Sequence, residues 1–174
     1  MTSGCGAATP SARRRLASLL YEAILLFGVV FVPAYLFSAL TRFRGDSGSL
    51  LRFAFQLILF IAIGGYFVWC WRHGGQTLPM KTWKFRVVLA SGAEPGLSKC
   101  WLRYVLAWIG PLAGLLAYKA LVEISGYGSA RFSLAAFAAV LPILFGNFLW
   151  GLLDRDRQFL HDRLAGTRLA SVVA

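Results

Sequence analysis

Four long apolar stretches, separated by polar connections, dominate the chain. They cover about residues 16–40, 51–71, 101–124 and 132–153. A helix crosses the roughly 30 Å hydrocarbon core of a bilayer with about 20 mostly apolar residues. Each stretch is expected to be helical, because lipid offers no hydrogen-bond partner to an irregular backbone. The pattern therefore predicts an all-α fold, a four-helix transmembrane bundle.

The polar segments differ in length. The connections at about 41–50 and 125–131 are short, whereas the connection 72–100 is sizeable and contains a β-prone piece at Phe85–Leu89. The tail after residue 153 mixes charged and apolar side chains. It predicts a short amphipathic C-terminal helix on the membrane surface.

Composition agrees with a membrane protein. The 174 residues are 58% hydrophobic and 14% charged, whereas soluble domains average roughly 45–50% and about 25%. The net charge of +11 comes from short clusters between apolar stretches rather than from one basic face, so we expect no nucleic-acid partner. We expect a disordered N-terminus over residues 1–12 and one membrane domain over residues 13–174.

The basic residues near the ends of the spans predict an orientation. Thirteen lie in the N-terminus, the 72–100 connection together with Arg103 at the start of the third stretch, and the tail, against four on the opposite side. Lys and Arg are enriched on the cytoplasmic side of membrane proteins. Both termini are therefore expected in the cytoplasm.

Three polar residues interrupt the apolar stretches at similar depth. Glu22 lies inside the first, Arg103 at the start of the third, and Asn147 roughly 9 Å from the inner end of the fourth. Glu22 follows Arg15 by almost two helical turns, so both lie on nearly the same face. Arg15 can extend outward to the lipid phosphates while Glu22 stays at depth, and the two need not pair. We therefore predict a cluster of Glu22, Arg103 and Asn147 in the cytoplasmic half of the membrane.

This cluster has two interpretations. An acidic side chain in a low-dielectric setting can take up and release a proton near neutral pH, which would serve a path for protons or small cations. The same residues could instead be a structural charge cluster that sets helix register and binds no ligand. The residues alone leave both interpretations open.

Signals of conventional enzyme chemistry are missing from the sequence. No nucleophile elbow, phosphate-binding loop or dinucleotide fingerprint occurs. His73 and His161 are each isolated from a second histidine, so we expect no metal site and no cofactor. An enzyme acting on lipids at the inner interface is supported only by the location of the polar residues.

Three motifs occur in order along the chain: "RRRLASLLYEAILL", "HGGQTLPMKTWKFRVVLASG" and "HDRLAGTRLA". Together they resemble the RDD family of bacterial membrane proteins, over about residues 13–172. The family is named for one arginine and two aspartates. By position Arg15 matches the arginine, although the adjacent Arg14 is an alternative match. Glu22 stands where the first aspartate is expected, and Asp162 resembles the second aspartate. Pro79 stands where the family usually has glycine, which questions a flexible role for that turn.

The resemblance carries further expectations. It implies a multi-pass protein of the bacterial inner (plasma) membrane, for which transport is often suggested. It also adds weight to Asp162. If the tail folds back under the bundle, Asp162 could meet Arg15 or Arg14 at the inner interface.

Two functional hypotheses follow, and both place the chain in the lipid bilayer. The first is a small transporter that is proton-coupled or moves a small cation past Glu22, built more readily as a homo-oligomer than as a monomer. The second is a non-transporting scaffold or assembly partner for other membrane proteins. It would use Gly110 and Gly114, whose small-xxx-small spacing lets helices approach closely within one chain or between protomers.

Overall fold

The computed structural model describes residues 9–43, 48–125, 130–154 and 156–172. Within these ranges the fold is mostly helical and carries one two-stranded sheet. Its elements are α1 (Ala12–Thr41), α2 (Ser49–Arg72), α3 (Leu78–Thr82), β1 (Phe85–Leu89), α4 (Leu97–Ala107), α5 (Ile109–Ser125), α6 (Ala130–Leu144), α7 (Gly146–Leu153), α8 (Leu160–Ala165) and β2 (Thr167–Ser171).

Three helical segments of the described chain are long and apolar enough to cross a membrane: Ala12–Thr41, Ser49–Arg72 and Leu97–Ile124. They correspond to the first three predicted spans. The third comprises α4 and α5, which join at Trp108 in a right-handed helical conformation. Pro111 falls in the first turn of α5, where a missing N–H does not interrupt the helix.

The fourth predicted span, 132–153, is interrupted at Phe145. It consists of α6, with 15 residues, and α7, with 8 residues, so neither has the length of a span. Backbone hydrogen bonds of 2.9 Å into and out of Phe145 continue across the break. Pro142 removes a backbone donor and Gly146 has low helix propensity, which explains a break at this place. Of the four predicted spans, the structure supports three.

The sheet joins two distant parts of the chain. β1 and β2 pair antiparallel, with Phe85 opposite Ser171 and Leu89 opposite Thr167. The strand predicted at Phe85–Leu89 is confirmed, but its partner lies in the tail, where we expected only a helix. α8 has six residues, and Gly166 with φ 71° turns the chain into β2. The all-α prediction therefore holds for the spans and fails at this end of the molecule.

The interior of the protein lies at the sheet end of the bundle. α1 contacts α2 and α3, α2 contacts α4, and α4 contacts α8. Buried side chains of α2, α3, α4 and the two strands, together with Phe159, form an apolar core, which comprises Val68, Trp71, Met80, Phe85, Val87, Cys100, Tyr104, Phe159 and Leu169. Elsewhere large apolar residues of the spans are exposed, Leu40 for 84% of its surface. Such surfaces suit contact with lipid.

The three segments that we assigned to one side of the membrane meet at this end. Thr9, just before α1, donates its hydroxyl proton to the carbonyl of Asp156 at 3.1 Å. The 72–100 connection and the tail share the sheet. Residues 1–8 of the predicted disordered N-terminus lie outside the described residues. These contacts agree with a common side for all three segments.

A close helix approach occurs at Gly64 of α2. A Cβ placed there would lie 2.7 Å from ring atoms of both Trp101 and Tyr104, so only a glycine admits these rings without rearrangement. We had expected a close approach at Gly110 and Gly114. In α5 Gly114 is buried and Gly110 half-buried, and α5 packs on α6.

Candidate functional site

One face of α1 supplies three buried polar side chains. Arg15, Ser18 and Glu22 expose 2%, 4% and 5% of their surfaces. Spacings of three and four residues put them on one side of the helix. Arg15 and Glu22 thus share a face, as the sequence predicts.

Two hydroxyl groups hold the Glu22 carboxylate. Tyr66 of α2 donates to Oε1 at 2.6 Å, and Thr77 donates to Oε2 at 2.6 Å. Both carboxylate oxygens therefore act as acceptors. Within the described chain no ion pair involves Glu22. Because a hydroxyl can donate or accept, its partners do not require one charge state of the carboxyl group.

Thr77 is placed by the start of α3. It is the N-cap of that helix, and its hydroxyl accepts a hydrogen bond from the Met80 amide at 3.4 Å. Pro79 lies in the first helical turn, where its fixed φ favours helix initiation. Pro79 therefore gives this turn a rigid helix start in place of a flexible glycine, and it fixes the hydroxyl that reaches Glu22.

The preceding glycine anchors the same turn to the sheet. Gly75 has φ 71°, and its carbonyl accepts from the Val87 amide at 2.7 Å. A Cβ on Gly75 would lie 2.6 Å from the Val87 carbonyl oxygen. Gln76 adds a hydrogen bond from Nε2 to the Phe85 carbonyl at 2.8 Å. The "GGQTLP" motif thus fastens β1 to the segment that carries Thr77.

A second cluster pairs Arg103 of α4 with Asp162 of α8. Nη1 of Arg103 forms an ion pair with Oδ1 of Asp162, and the side chains expose 4% and 0% of their surfaces. Thr167 donates to that carboxylate oxygen at 2.9 Å and lies 3.3 Å from Arg103 Nη1. The guanidinium carbon of Arg103 lies 4.8 Å from the Trp71 ring centroid. Opposite charge and hydrogen bonds together make such a burial tolerable.

Arg15 has a different environment. Its Nη1 donates to the Arg157 carbonyl at 2.6 Å, and its guanidinium carbon lies 4.9 Å from the Phe159 ring centroid. The side chain is buried by the tail. It therefore does not extend outward to the lipid phosphates, in contrast to our expectation from the sequence.

The structure brings the predicted site residues together in part. The tail folds back under the bundle, but Asp162 pairs with Arg103 rather than with Arg15 or Arg14. Arg14 is half-buried. The side chain of Asn147 lies outside the described residues, although its backbone belongs to α7.

A cavity of about 350 Å³ connects the two clusters, because Glu22, Arg15 and Arg103 all line it. His161 contributes a further polar side chain. Most of the remaining lining is aliphatic or aromatic and comes from the spans and the sheet. The volume falls in the range of small-molecule sites, roughly 300–1,000 Å³.

His161 of α8 lies outside the segments that can cross a membrane. Burial, and after it the positive charge of Arg103, holds the pKa of His161 well below its ordinary value of 6.5. Its ring stacks on Phe159, with centroids 5.4 Å apart. The imidazole is therefore neutral at pH 7. In the described part of the chain, no group of three or more His, Cys, Asp or Glu side chains is placed to hold a metal ion.

The sequence pattern did not predict several residues of the site. In the sequence, Tyr66 and Trp71 are two of several aromatic residues of the second span, and nothing distinguishes them. Thr167 lies in the tail strand, which was not predicted. Thr77 carried a usable signal, because a threonine followed by proline two residues later is a common helix start.

This arrangement, three membrane-length helices with charged clusters buried at one end, defines a small polytopic membrane protein. The chain belongs to the RDD family, whose model matches residues 9–166 and so covers most of its length. The resemblance seen in the three motifs is thereby confirmed. No curated protein and no solved structure gives a significant match to the chain.

Proposed function

We propose that this protein is a small proton-coupled transporter of the bacterial inner (plasma) membrane, in which Glu22 takes up and releases the proton. Both termini would lie in the cytoplasm, with α6 and α7 together returning the chain across the membrane. This orientation in the membrane is inferred from the distribution of basic residues. It is supported by the contacts that bring the basic connection 72–100 and the basic tail to the same end of the bundle. The cavity would then open on the cytoplasmic half of the membrane.

One observation carries the proposal: the partners of Glu22 are hydroxyls, whereas the partner of Asp162 is a guanidinium. A guanidinium holds a carboxylate in its ionised form. Tyr66 and Thr77 can donate to the ionised carboxylate, and after proton uptake one of them can accept from the new O–H. Glu22 can therefore change charge without leaving a buried polar group unpaired.

The charges around the cavity favour a proton over a metal cation as the coupled species. Arg15 lines the same cavity as Glu22 and, unlike Arg103, forms no ion pair with a carboxylate among the described residues, so its uncompensated positive charge repels a metal ion in a low-dielectric site. Protonation of the carboxyl group needs no coordination shell. The proposal therefore narrows the cation path of the sequence analysis to protons.

Proton flux through reconstituted vesicles tests the proposal. Purified protein is sealed in vesicles with a pH-sensitive dye, and a pH gradient is imposed. Glu22→Gln should fold and insert but lose the flux. Glu123→Gln is the matched control, because Glu123 is an exposed carboxylate of the third span and its replacement should leave the flux intact. Equal flux in the wild type and Glu22→Gln would overturn the proposal.

A scaffold function is the second candidate, and a specific observation favours it. Thr77 ties the 72–100 connection to α1, and Asp162 ties the tail to α4. Buried charges in such positions could serve only to hold distant segments together. In that case Glu22→Gln would lower stability or the recovery of a partner membrane protein, and the wild type would show no flux.

A further inference from the structure

The cavity is polar at one end and mainly apolar at the other, and Glu22 lies between the two ends. Arg15 and Arg103 line it where α1 and α4 meet the tail, whereas Leu26 and Pro111 line it further into the spans. Arg15 and Leu26 are eleven positions apart on α1, which is roughly 16 Å along the helix axis. The cavity therefore has the shape and polarity of a site for a molecule with a polar head and an apolar tail.

Three buried N–H donors at the polar end have no hydrogen-bond partner among the described residues. They are Nε of Arg15, Nε of Arg103 and Nε1 of Trp71. Each side chain lines the cavity and is at least nine-tenths buried, with 2%, 4% and 5% of its surface exposed. Buried donors are nearly always paired in folded proteins. An acceptor bound in the cavity would lie against the side chains that carry these donors.

The charge balance indicates that this acceptor is anionic. Asp162 neutralises Arg103 through Nη1 and Oδ1. Glu22 is uncharged once it holds its proton; it lies almost two helical turns from Arg15, roughly 10 Å along α1, and its partners are two hydroxyls rather than a cation. Within the described residues Arg15 forms no ion pair with a carboxylate. One positive charge at the polar end of the cavity is thus left for a ligand.

We propose that the cavity binds one anionic amphiphile, with a phosphate or carboxylate head at Arg15, Arg103 and Trp71 and an acyl chain running toward Leu26 and Pro111. Guanidinium groups bind both head groups through paired hydrogen bonds. The volume of about 350 Å³ suits one head group and part of one chain. The inference that this amphiphile is the transported molecule rests on the proposed transport function. The inference that the cavity binds it does not depend on transport.

Isothermal titration of the full chain in an uncharged detergent tests the binding. Dodecyl phosphate and dodecanoate carry the two anionic heads, dodecyltrimethylammonium carries a cationic head on the same chain, and inorganic phosphate has no chain. Both anionic amphiphiles should bind at one per chain, at least about tenfold more tightly than the cationic one or inorganic phosphate. Tighter binding of dodecyl phosphate would assign the head to a phospholipid, and tighter binding of dodecanoate to a fatty acid.

Neighbouring arginines provide the matched variants. Arg15→Gln should weaken binding of dodecyl phosphate about tenfold, whereas Arg14→Gln should leave it unchanged, because Arg14 is half-buried and does not line the cavity. Leu26→Trp fills the apolar end and should weaken dodecanoate more than the shorter hexanoate. Equal losses in Arg14→Gln and Arg15→Gln, or equal binding of the anionic and cationic amphiphiles, would overturn the proposal.

The variant Glu22→Gln distinguishes the proposed anion binding from the proposed proton transport. This variant should bind dodecyl phosphate at least as tightly as the wild type, because it removes a carboxylate from the cavity lining, while it loses proton flux. If the wild type binds no anionic amphiphile but its proton flux depends on Glu22, the binding proposal is wrong and the transport proposal stands. If the wild type binds the amphiphile but shows no proton flux, the transport proposal is wrong and the binding proposal stands.

Discussion

Thr77 donates a hydrogen bond of 2.6 Å to Oε2 of Glu22, although the two residues are 55 positions apart in the chain. The contact joins the first span to the connection between the second and third. The same hydroxyl caps α3, so one side chain both starts a helix and completes the environment of the buried carboxylate. Its removal should therefore affect stability as well as function.

Thr77→Val should lower the free energy of unfolding by about 1–3 kcal/mol, because it removes a helix cap and leaves one carboxylate oxygen unpaired. Thr77→Ser keeps the hydroxyl and should retain most of the stability. Thermal unfolding in detergent measures the difference. Thr82→Val is the control, since Thr82 is an exposed residue of α3; a loss of similar size there would show that the contact with Glu22 is unimportant.

Charge exchange tests the pair between Arg103 and Asp162. Asp162→Arg alone should cost about 3–5 kcal/mol, because it leaves two buried cations without a carboxylate. Adding Arg103→Asp should restore part of this loss. Adding Arg15→Asp instead should restore nothing, since Arg15 lies against Phe159 and the tail backbone.

The readout for this exchange is the monodisperse fraction on size exclusion together with the unfolding temperature. The stacking of Arg103 on Trp71 is lost in the exchanged pair, so the recovery should be incomplete. Rescue by the Arg15 combination rather than the Arg103 combination would contradict the observed pairing.

Two adjacent glycines give opposite predictions. Gly64→Ala should destabilise the protein by about 1–3 kcal/mol, because the new Cβ meets the rings of Trp101 and Tyr104. Gly65→Ala has open space around it and should stabilise the helix by up to about 1 kcal/mol. Unfolding temperatures of the two variants measure this contrast. Equal effects would argue against a close contact of α2 with α4 at Gly64.

The pKa of His161 predicts a pH dependence of stability. In the folded protein burial and Arg103 lower that pKa below the ordinary value of 6.5, so the unfolded chain binds a proton more readily. Stability should therefore fall as the pH drops below 6.5, by up to about 1.4 kcal/mol per pH unit until the folded imidazole is protonated. Above this range the contribution of His161 is constant.

Thermal unfolding between about pH 8 and about pH 5 checks this slope. His161→Gln should reduce the slope, whereas His73→Gln should not, because His73 is exposed. A slope that survives the replacement of His161 would assign it to other groups.

The sequence predicts those parts of the fold that depend on the local pattern of apolar and polar residues. Hydrophobic length identifies the three spans, and helical periodicity puts Arg15 and Glu22 on one face. The interruption at Phe145 was missed because proline is common in membrane helices and most prolines there do not end the helix. A length criterion alone cannot tell a bent span from two short helices.

The parts that were missed depend on contacts between distant residues. The partner of Asp162 is set by the pairing of β1 with β2, which brings α8 against α4. No local signal in the tail reveals that pairing. Tyr66 and Thr77 meet Glu22 only after the 72–100 connection folds onto α1. Their roles therefore follow from tertiary structure rather than from any motif.

The central claim is that Glu22 changes its protonation state while it stays buried. Difference infrared spectroscopy of the purified protein in lipid, between acidic and alkaline buffer, measures this directly through the carboxylic acid carbonyl band. The account predicts a band that grows with acidification in the wild type, is missing from Glu22→Gln, and shifts in Thr77→Val as its hydrogen bond is lost. An identical difference spectrum for the wild type and Glu22→Gln would contradict it.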